Sequence, residues 1–272
     1  MEGIIYYNIG YKCLVRLAVS ISTLRQRHQG NIAIICDKVG YEECKAIADY
    51  FKVDILQTNF EEFPGKNVAL LNKCRLHQMT PYEKTIFLDS DTIIFRHFPE
   101  CFQLLDKYEF IVPQFCGWTS RGKQYRKRIE RWKGVIPDKL YHHAFDEPKA
   151  VNIGFFGWRE GAIIFNDWFE LALMNRNSFI PDEIACQILL PHVPHLVIGS
   201  EYNTSCKHER LTEKAKTLHF HGKKHCRIVG RKYLFHSELW YKEFAKIKAL
   251  PFVQNNIPHD KMLVSNLQRH CS

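Results

Sequence analysis

Asp89-Ser90-Asp91 stands between two apolar runs, TIFL and TIIF. Two carboxylates inside a buried segment are costly unless something pairs them, and neither flank carries Lys or Arg within two residues. Both flanks read as strand. In an extended chain, side chains at i and i+2 project to one face, so the spacing predicts that Asp89 and Asp91 converge on one point. Hard oxygen donors on one side suit Mg²⁺ or Mn²⁺, which also take substrate phosphate oxygens. The alternative is a helix cap or a turn, in which Asp and Ser bond nearby backbone N–H groups.

Two other segments carry chemistry-bearing residues. RGKQYRKRIERWKG (121–134) holds seven basic residues and one acidic. Such a run reads as a solvated helical face, as a basic flap over an anionic ligand, or as a surface that meets acidic lipid or glycan. Cys206, His208, His219, His221, His225 and Cys226 are metal-ligand types, but their spacing matches no common zinc signature.

The elements that must position these residues alternate. Strands are expected at 3–9, 31–37 and 53–58, and helices at 11–28, 41–51 and 67–80, with Arg16, Arg25 and Arg27 on the outer face of the first helix. Residues 85–95 form a fourth apolar run. Further strands are expected at 109–114, 150–158, 194–199 and 216–221, and helices at 161–176, 182–190 and 236–249. Alternation of this kind implies an α/β fold with a mixed, mostly parallel sheet flanked by helices. Such sheets bind ligands at the carboxyl ends of their strands.

Composition sets the class. The 272 residues are 46% hydrophobic and 25% charged, with 14 Gly and 11 Pro, the proportions of a globular chain rather than a disordered or fibrous one. No apolar run approaches the roughly 20 residues of a membrane helix. The opening MEGIIYYNIGYKC lacks a basic n-region and a long apolar h-region, so no signal peptide is expected. Ten Cys occur without a CxxC, several inside apolar runs, where a thiol behaves as a small hydrophobe. A reduced, cytoplasmic protein is the expectation. The net charge of +9 points to an anionic partner.

Three classes could use the carboxylate pair. A phosphohydrolase of the haloacid-dehalogenase type has DxDx[TV], which DSDTI approaches, but its downstream acidic motif is missing. A sugar nucleotidyltransferase needs a Gly-rich, Arg-containing loop after the first strand, which NIGYKC lacks. A nucleotide-sugar glycosyltransferase has the DxD after a nucleotide-binding half, as here. A basic nucleic-acid-binding protein using 121–134 is the rival of a different kind.

The chain resembles GT-A fold glycosyltransferases, within them family 8, the glycogenin-like and bacterial galactosyltransferase-like group. NIGY (8–11) with the following LAVSISTLRQRH resembles the family's opening, and NKCRLHQMTPYEKTIFLDSDTIIF its Lys-containing helix and "YLDaDtlv". VNIGFF (151–156) resembles "FNSG", PDEIACQILL (181–190) the "DQ" segment, and HFHGKKH (219–225) "HFxGxxKPW". Ile153 stands at the family Ser, Glu183 at the Gln, and His225 at the Lys of KPW.

The resemblance implies a GT-A domain over 1–226, with a nucleotide-binding part at 1–95 and an acceptor-side part at 96–226, and a helical extension of that domain at 227–272. It implies Mn²⁺ or Mg²⁺ on Asp89, Asp91 and His219. Donor contacts fall to Asn8, Tyr11, Lys73, Ser90, Asn152, Gly154, Glu183, Gly222, Lys223 and Lys224, with Tyr11 stacking on the base. Asp182 lies beside the donor sugar as the catalytic carboxylate. The implied reaction moves a sugar, with the retention of the resembling family, from a nucleoside diphosphate sugar (a UDP-sugar) to a glycan or a lipid- or protein-linked acceptor. With inversion instead, Asp182 or Glu183 would be the base for the acceptor hydroxyl, and the sequence alone leaves both open. Nucleic acid is not expected as a partner, and peripheral membrane contact stays open.

Overall fold

The computed structural model describes residues 1–62, 67–207, 213–222, 224–229 and 232–270. β-Branched runs become strands and 3.6-period runs become helices, largely in the expected order. β1 (Glu2–Asn8), α1 (Leu14–Arg25), β2 (Asn31–Cys36), α2 (Tyr41–Phe51) and β3 (Asp54–Gln57) alternate first. α3 (Val68–Lys73), β4 (Lys84–Leu88), β5 (Thr92–Ile94) and α4 (Glu100–Leu104) follow. Next come β6 (Phe110–Thr119), α5 (Lys123–Ile129), α6 (Asp138–His143), β7 (Lys149–Val151), β8 (Phe155–Arg159), α7 (Phe165–Met174), α8 (Pro181–Leu189) and β9 (His195–Ile198). The last third holds β10 (Thr204–Ser205), β11 (Thr217–His219), α9 (Ser237–Ile247), α10 (Pro251–Asn256) and α11 (Lys261–His270). Among the described residues no helix is long and apolar enough to cross a membrane.

The chain groups into two units. The first gathers Gly3–Asn59, Phe87–Phe98 and Glu201–Ser272, so residues 227–272 belong with the opening strands. The second gathers Met1–Glu2, Phe60–Ile86 and Pro99–Ser200.

In the first unit β2 pairs in parallel with β1 and β3, Ile34 lying opposite Tyr6 and Ile55. Ile4, Ile5, Tyr6 and Ile32–Ile35 are buried in unbroken runs, as strands covered on both faces must be. α1 departs from expectation. Every residue from Leu14 to Leu24 is buried, because α2, α9, α10 and β5 all pack on it. Arg16 therefore turns inward rather than outward and meets Asp260, Nε to Oδ2 3.4 Å. The polar residues of α1 hold β5 in place. Ser20 Oγ lies 2.9 Å from Thr92 Oγ1 and 3.0 Å from the Tyr6 hydroxyl, and the Ile94 N–H donates to Thr23 Oγ1 at 3.0 Å. β11 then pairs antiparallel with β5, and β10 parallel with β11.

In the second unit β6 is central, antiparallel to β7 and β8 and parallel to β9. Gly157 of β8 sits opposite Ile111, where a Cβ would come within 3.0 Å of Ile111 Cγ1. The run expected as one strand at 150–158 breaks into β7 and β8 around Asn152–Gly154. The helix expected at 67–80 is α3 plus one 3₁₀ turn at Leu76–Gln78. Phe110, Phe156, Trp158, Phe165 and Trp168 form an aromatic core. From it Trp168 Nε1 donates to the Asp182 carbonyl at 2.8 Å and so anchors the start of α8.

Candidate functional site

β4 ends at Leu88, and β5 begins at Thr92. The Asp-Ser-Asp triplet is thus the turn between two strands and not an extended segment. The physical reason is the cost expected for carboxylates in a buried strand: the chain leaves the strand where they begin. Thr92 Oγ1 closes the turn on the Asp89 carbonyl at 2.8 Å. His219 ends β11 in register with Thr92, and the Phe220 N–H donates to the Asp91 carbonyl at 2.8 Å. This pairing brings a residue from the last quarter of the chain to the turn. His219 Nε2 lies 3.1 Å from Asp91 Oδ1 and 3.6 Å from Asp89 Oδ2.

One ligand atom from each of the three lies within 4.8 Å of the others, and no other such group of His, Cys, Asp and Glu occurs among the described residues. A hard divalent ion with ligands at about 2.1 Å keeps neighbouring donors about 3 Å apart, so the three side chains fit such an ion. Burial pushes the Asp91 carboxyl up, but the His219 imidazole and Arg16 outweigh it and hold it below the ordinary carboxylate range. The other metal-ligand types of the tail have different partners. His221 Nε2 bonds Ser205 Oγ at 2.7 Å, and buried His225 bonds Asp260 Oδ2 at 3.3 Å. His208 lies outside the described residues.

Also in the first unit, Asn8 closes β1 and its Nδ2 donates to the Gly10 carbonyl at 2.6 Å. Its buried Oδ1 has no hydrogen-bond partner among the described residues. Gly10 adopts φ +63°, a conformation open to glycine, and its N–H donates to both Asp37 oxygens at 3.0 and 3.1 Å. Gly40 N–H donates to Asp37 as well, at 2.9 Å, so Asp37 ties together the loops that leave β1 and β2. Asp37 was not singled out from sequence, although an acid at the end of an apolar strand is the signal that marks it. Tyr11 is exposed, and its ring stacks on His259 with centroids 4.9 Å apart and planes 24° apart. Ser90 sits in the Asp-Ser-Asp turn. Gly222 holds φ +68°, and Lys224 Nζ folds back onto the His221 carbonyl at 2.8 Å, its pKa lowered by burial. Lys223 lies outside the described residues.

The second unit brings Lys73, Asn152, Gly154, Asp182 and Glu183 together. Ile180, a β-branched residue, holds φ +51°, where such residues are rare. The chain turns there, and Pro181 opens α8 at its first position. Asp182 and Glu183 thus occupy the first turn, where helix N–H groups favour carboxylates. Both are buried, as is Lys73. Lys73 Nζ lies 3.9 Å from Asp182 Oδ2 and 3.4 Å from the Ile153 carbonyl. Asn152 Nδ2 donates to Glu183 Oε2 at 2.7 Å, and its Oδ1 accepts the Gly154 N–H at 3.2 Å.

Glu183 Oε1 takes Arg128 Nη1 at 2.9 Å. Burial pushes the Glu183 carboxyl up to about 7, Asp182 adding to the rise while Arg128, Lys73 and Asn152 oppose it. Arg128 was read only as part of a basic run. Its signal is the helical spacing of Tyr125, Arg128 and Ile129, which puts it on the inner face of α5.

No family model matches the chain. Glycogenin-1 of Caenorhabditis elegans is 22% identical over 231 residues, 79% of this chain and 47% of that protein. The chain thus spans about half the length of the curated relative it matches. The WbbM bifunctional glycosyltransferase in its apo form superimposes with a TM-score of 0.65 at 13% identity, over 96% of this chain and 52% of that one. The galactosyltransferase LgtC, in complex with donor and acceptor sugar analogs, superimposes with a TM-score of 0.62 at 11% identity, over 92% of this chain and 98% of that one. With its α/β architecture and Asp-Asp-His cluster, the chain has the GT-A fold of these glycosyltransferases.

Proposed function

We propose that the chain is a metal-dependent glycosyltransferase that moves a sugar, with retention, from a UDP-sugar to a hydroxyl of a glycan or of a lipid- or protein-linked acceptor. The observation that carries this reading is the Asp89–Asp91–His219 cluster, whose ligand atoms lie within 4.8 Å of one another. The similarity to glycogenin-1 and the fold shared with LgtC support it. The imidazole among the donors favours Mn²⁺ over Mg²⁺, whose sites are built from oxygen. A divalent cation held there supplies positive charge to a diphosphate leaving group.

The chain's own residues take the remaining roles. Tyr11 offers an exposed ring for the base, and Asn8 fixes the adjoining Gly10 turn through its Nδ2. Lys224 adds positive charge where the diphosphate leaves. Asn152 and the Gly154 backbone orient the sugar. Asp182 faces the charge that develops at the anomeric carbon, the part a carboxylate plays in retaining glycosidases. Lys73 offsets the Asp182 charge. The free thiols of Cys36, Cys44, Cys74 and Cys186 accord with a reducing, cytoplasmic setting. The exposed cations of 121–134 suit an acidic acceptor or an anionic membrane surface.

Thermal shifts with UDP, GDP and ADP, each with and without Mn²⁺, test the proposal. UDP is expected to raise the Tm only when Mn²⁺ is present. Equal shifts with all three diphosphates in the absence of metal would sink it.

A further inference from the structure

Of the seven cations in 121–134, six are exposed and one, Arg128, is not. We propose that Arg128 is a positioning residue: it pairs with Glu183, and through Glu183 it fixes the Asn152 amide. This rests on the sugar-transfer reading of that cluster.

The geometry is specific. The guanidinium carbon lies over four rings, 5.3 Å from Phe115, 5.5 Å from Trp118, 5.6 Å from Tyr125 and 5.4 Å from Phe179. Aromatic faces attract a cation, and the half-buried guanidinium sits among these rings with its Nη1 aimed at a carboxylate. That carboxylate oxygen is Glu183 Oε1, at 2.9 Å, and the Glu183 side chain is 4% exposed. The second oxygen, Oε2, accepts Asn152 Nδ2 at 2.7 Å. Both oxygens of Glu183 are therefore engaged, and the carboxylate acts as a bridge from α5 to Asn152. The family pattern has Gln where Glu183 stands. A buried carboxylate needs a counter-ion that an amide does not, and Arg128 is that counter-ion. The basic segment reaches this cluster through one side chain, while its other charges face solvent.

The titratable and charged groups facing Glu183 are Arg128 and Tyr125 from α5, Lys73 from α3, and Asp182 and Cys186 from its own helix. Removing Arg128 takes away one of the two cations that oppose the burial-driven rise of the Glu183 carboxyl. The pH at which Glu183 loses its proton then rises, and the Asn152 amide is left on a weaker, neutral acceptor whose other oxygen no cation holds in place.

The test compares Arg128→Met, Glu183→Gln and the double variant with the unaltered chain, using UDP-sugar turnover with Mn²⁺. Arg128→Met should lower kcat about 10–100-fold, the range for a misplaced positioning group, with a donor KM changed less than threefold. Its acid limb should move to higher pH, because its Glu183 is harder to ionise. In the Glu183→Gln background, removing Arg128 should cost less than about threefold, since an amide oxygen serves Asn152 without a counter-ion.

A second readout is independent of turnover. The side-chain ¹⁵N resonance of Asn152, assigned by its absence in Asn152→Asp, should titrate at higher pH in Arg128→Met than in the unaltered chain. Should no donor be turned over by the unaltered chain, the sugar-transfer reading fails, and this resonance alone decides the coupling. Identical Asn152 titrations overturn the proposal. So does a tenfold loss on removing Arg128 in the Glu183→Gln background, which also covers the case in which Arg128→Met does not fold.

Discussion

Asp260→Ala removes the carboxylate that ties the C-terminal part of the chain to α1. Asp260 Oδ2 lies 3.4 Å from Arg16 Nε and 3.3 Å from His225 Nε2, and Oδ1 accepts the Leu263 N–H at 3.2 Å. The three side chains are 6%, 8% and 0% exposed for Asp260, Arg16 and His225, so solvent cannot replace the lost partner. Breaking a buried ion pair from one side costs about 3–5 kcal/mol. Arg16 keeps neutral acceptors such as the Lys12 carbonyl at 3.2 Å, which favours the lower end, about 3 kcal/mol. At about 2–4 °C per kcal/mol for a chain of this size, the Tm should fall by roughly 6–12 °C in calorimetry at pH 7.

The pH dependence has a definite sign. Burial raises the Asp260 carboxyl, but the bond to His225 and the charges of His225 and Arg16 hold it below its ordinary value. Its contribution is therefore present above the unfolded pKa of about 3.9 and is lost as the pH falls through the lower folded value. The stability gap between the two proteins should not shrink from neutral pH to about 5, because Asp260 also opposes the burial that disfavours the charged His225 imidazole, and should narrow below about 4. Arg16→Met/Asp260→Ala should be less destabilised than the sum of the single variants, by about 1–3 kcal/mol. A Tm loss under about 2 °C, or strict additivity, would refute the reasoning.

Asp91→Asn should weaken Mn²⁺ binding at least tenfold in a calorimetric titration, and an unchanged affinity would remove Asp91 from the cluster. Tyr11→Ala should weaken UDP binding at saturating Mn²⁺ by roughly tenfold, the order of one base–aromatic stack; equal affinities would take Tyr11 out of the site. Burial holds His28 and His77 down at about 4, so the unfolded chain binds protons there that the folded chain does not. Their contribution to stability, present above about pH 6.5, should fall as the pH drops towards 4. The urea midpoint of His28→Phe/His77→Phe should therefore lose less, or gain more, than that of the unaltered chain between pH 7.5 and 5; equal changes would contradict this.

Much of the fold is legible in the sequence, because burial leaves a periodic trace. IIYY and IAIIC read as strands covered on both faces, and all their residues but the half-buried Tyr7 are buried. α2 and α7–α9 fall within a few residues of their expected spans. Local chemistry blurred other places. VNIGFFGW has the composition of one strand, but Asn152–Gly154 turn the chain between β7 and β8. Arg16 looked solvent-facing because three cations share the spacing of α1, and no local pattern says that Asp260 will arrive to meet it.

Residue type and order alone made Asp89 and Asp91 a carboxylate pair suited to a hard cation, since that depends only on two acids two residues apart in an apolar run. That His219 lies 3.1 Å from Asp91 depends on β11 pairing with β5 across more than a hundred residues. The partnership of Arg128 with Glu183 depends on α5 and α8 meeting from distant parts of the chain. Local sequence records what a side chain can donate, accept or bury; which partner answers it is decided by long-range pairing, where the cost of an unpaired buried charge selects the arrangement that supplies one.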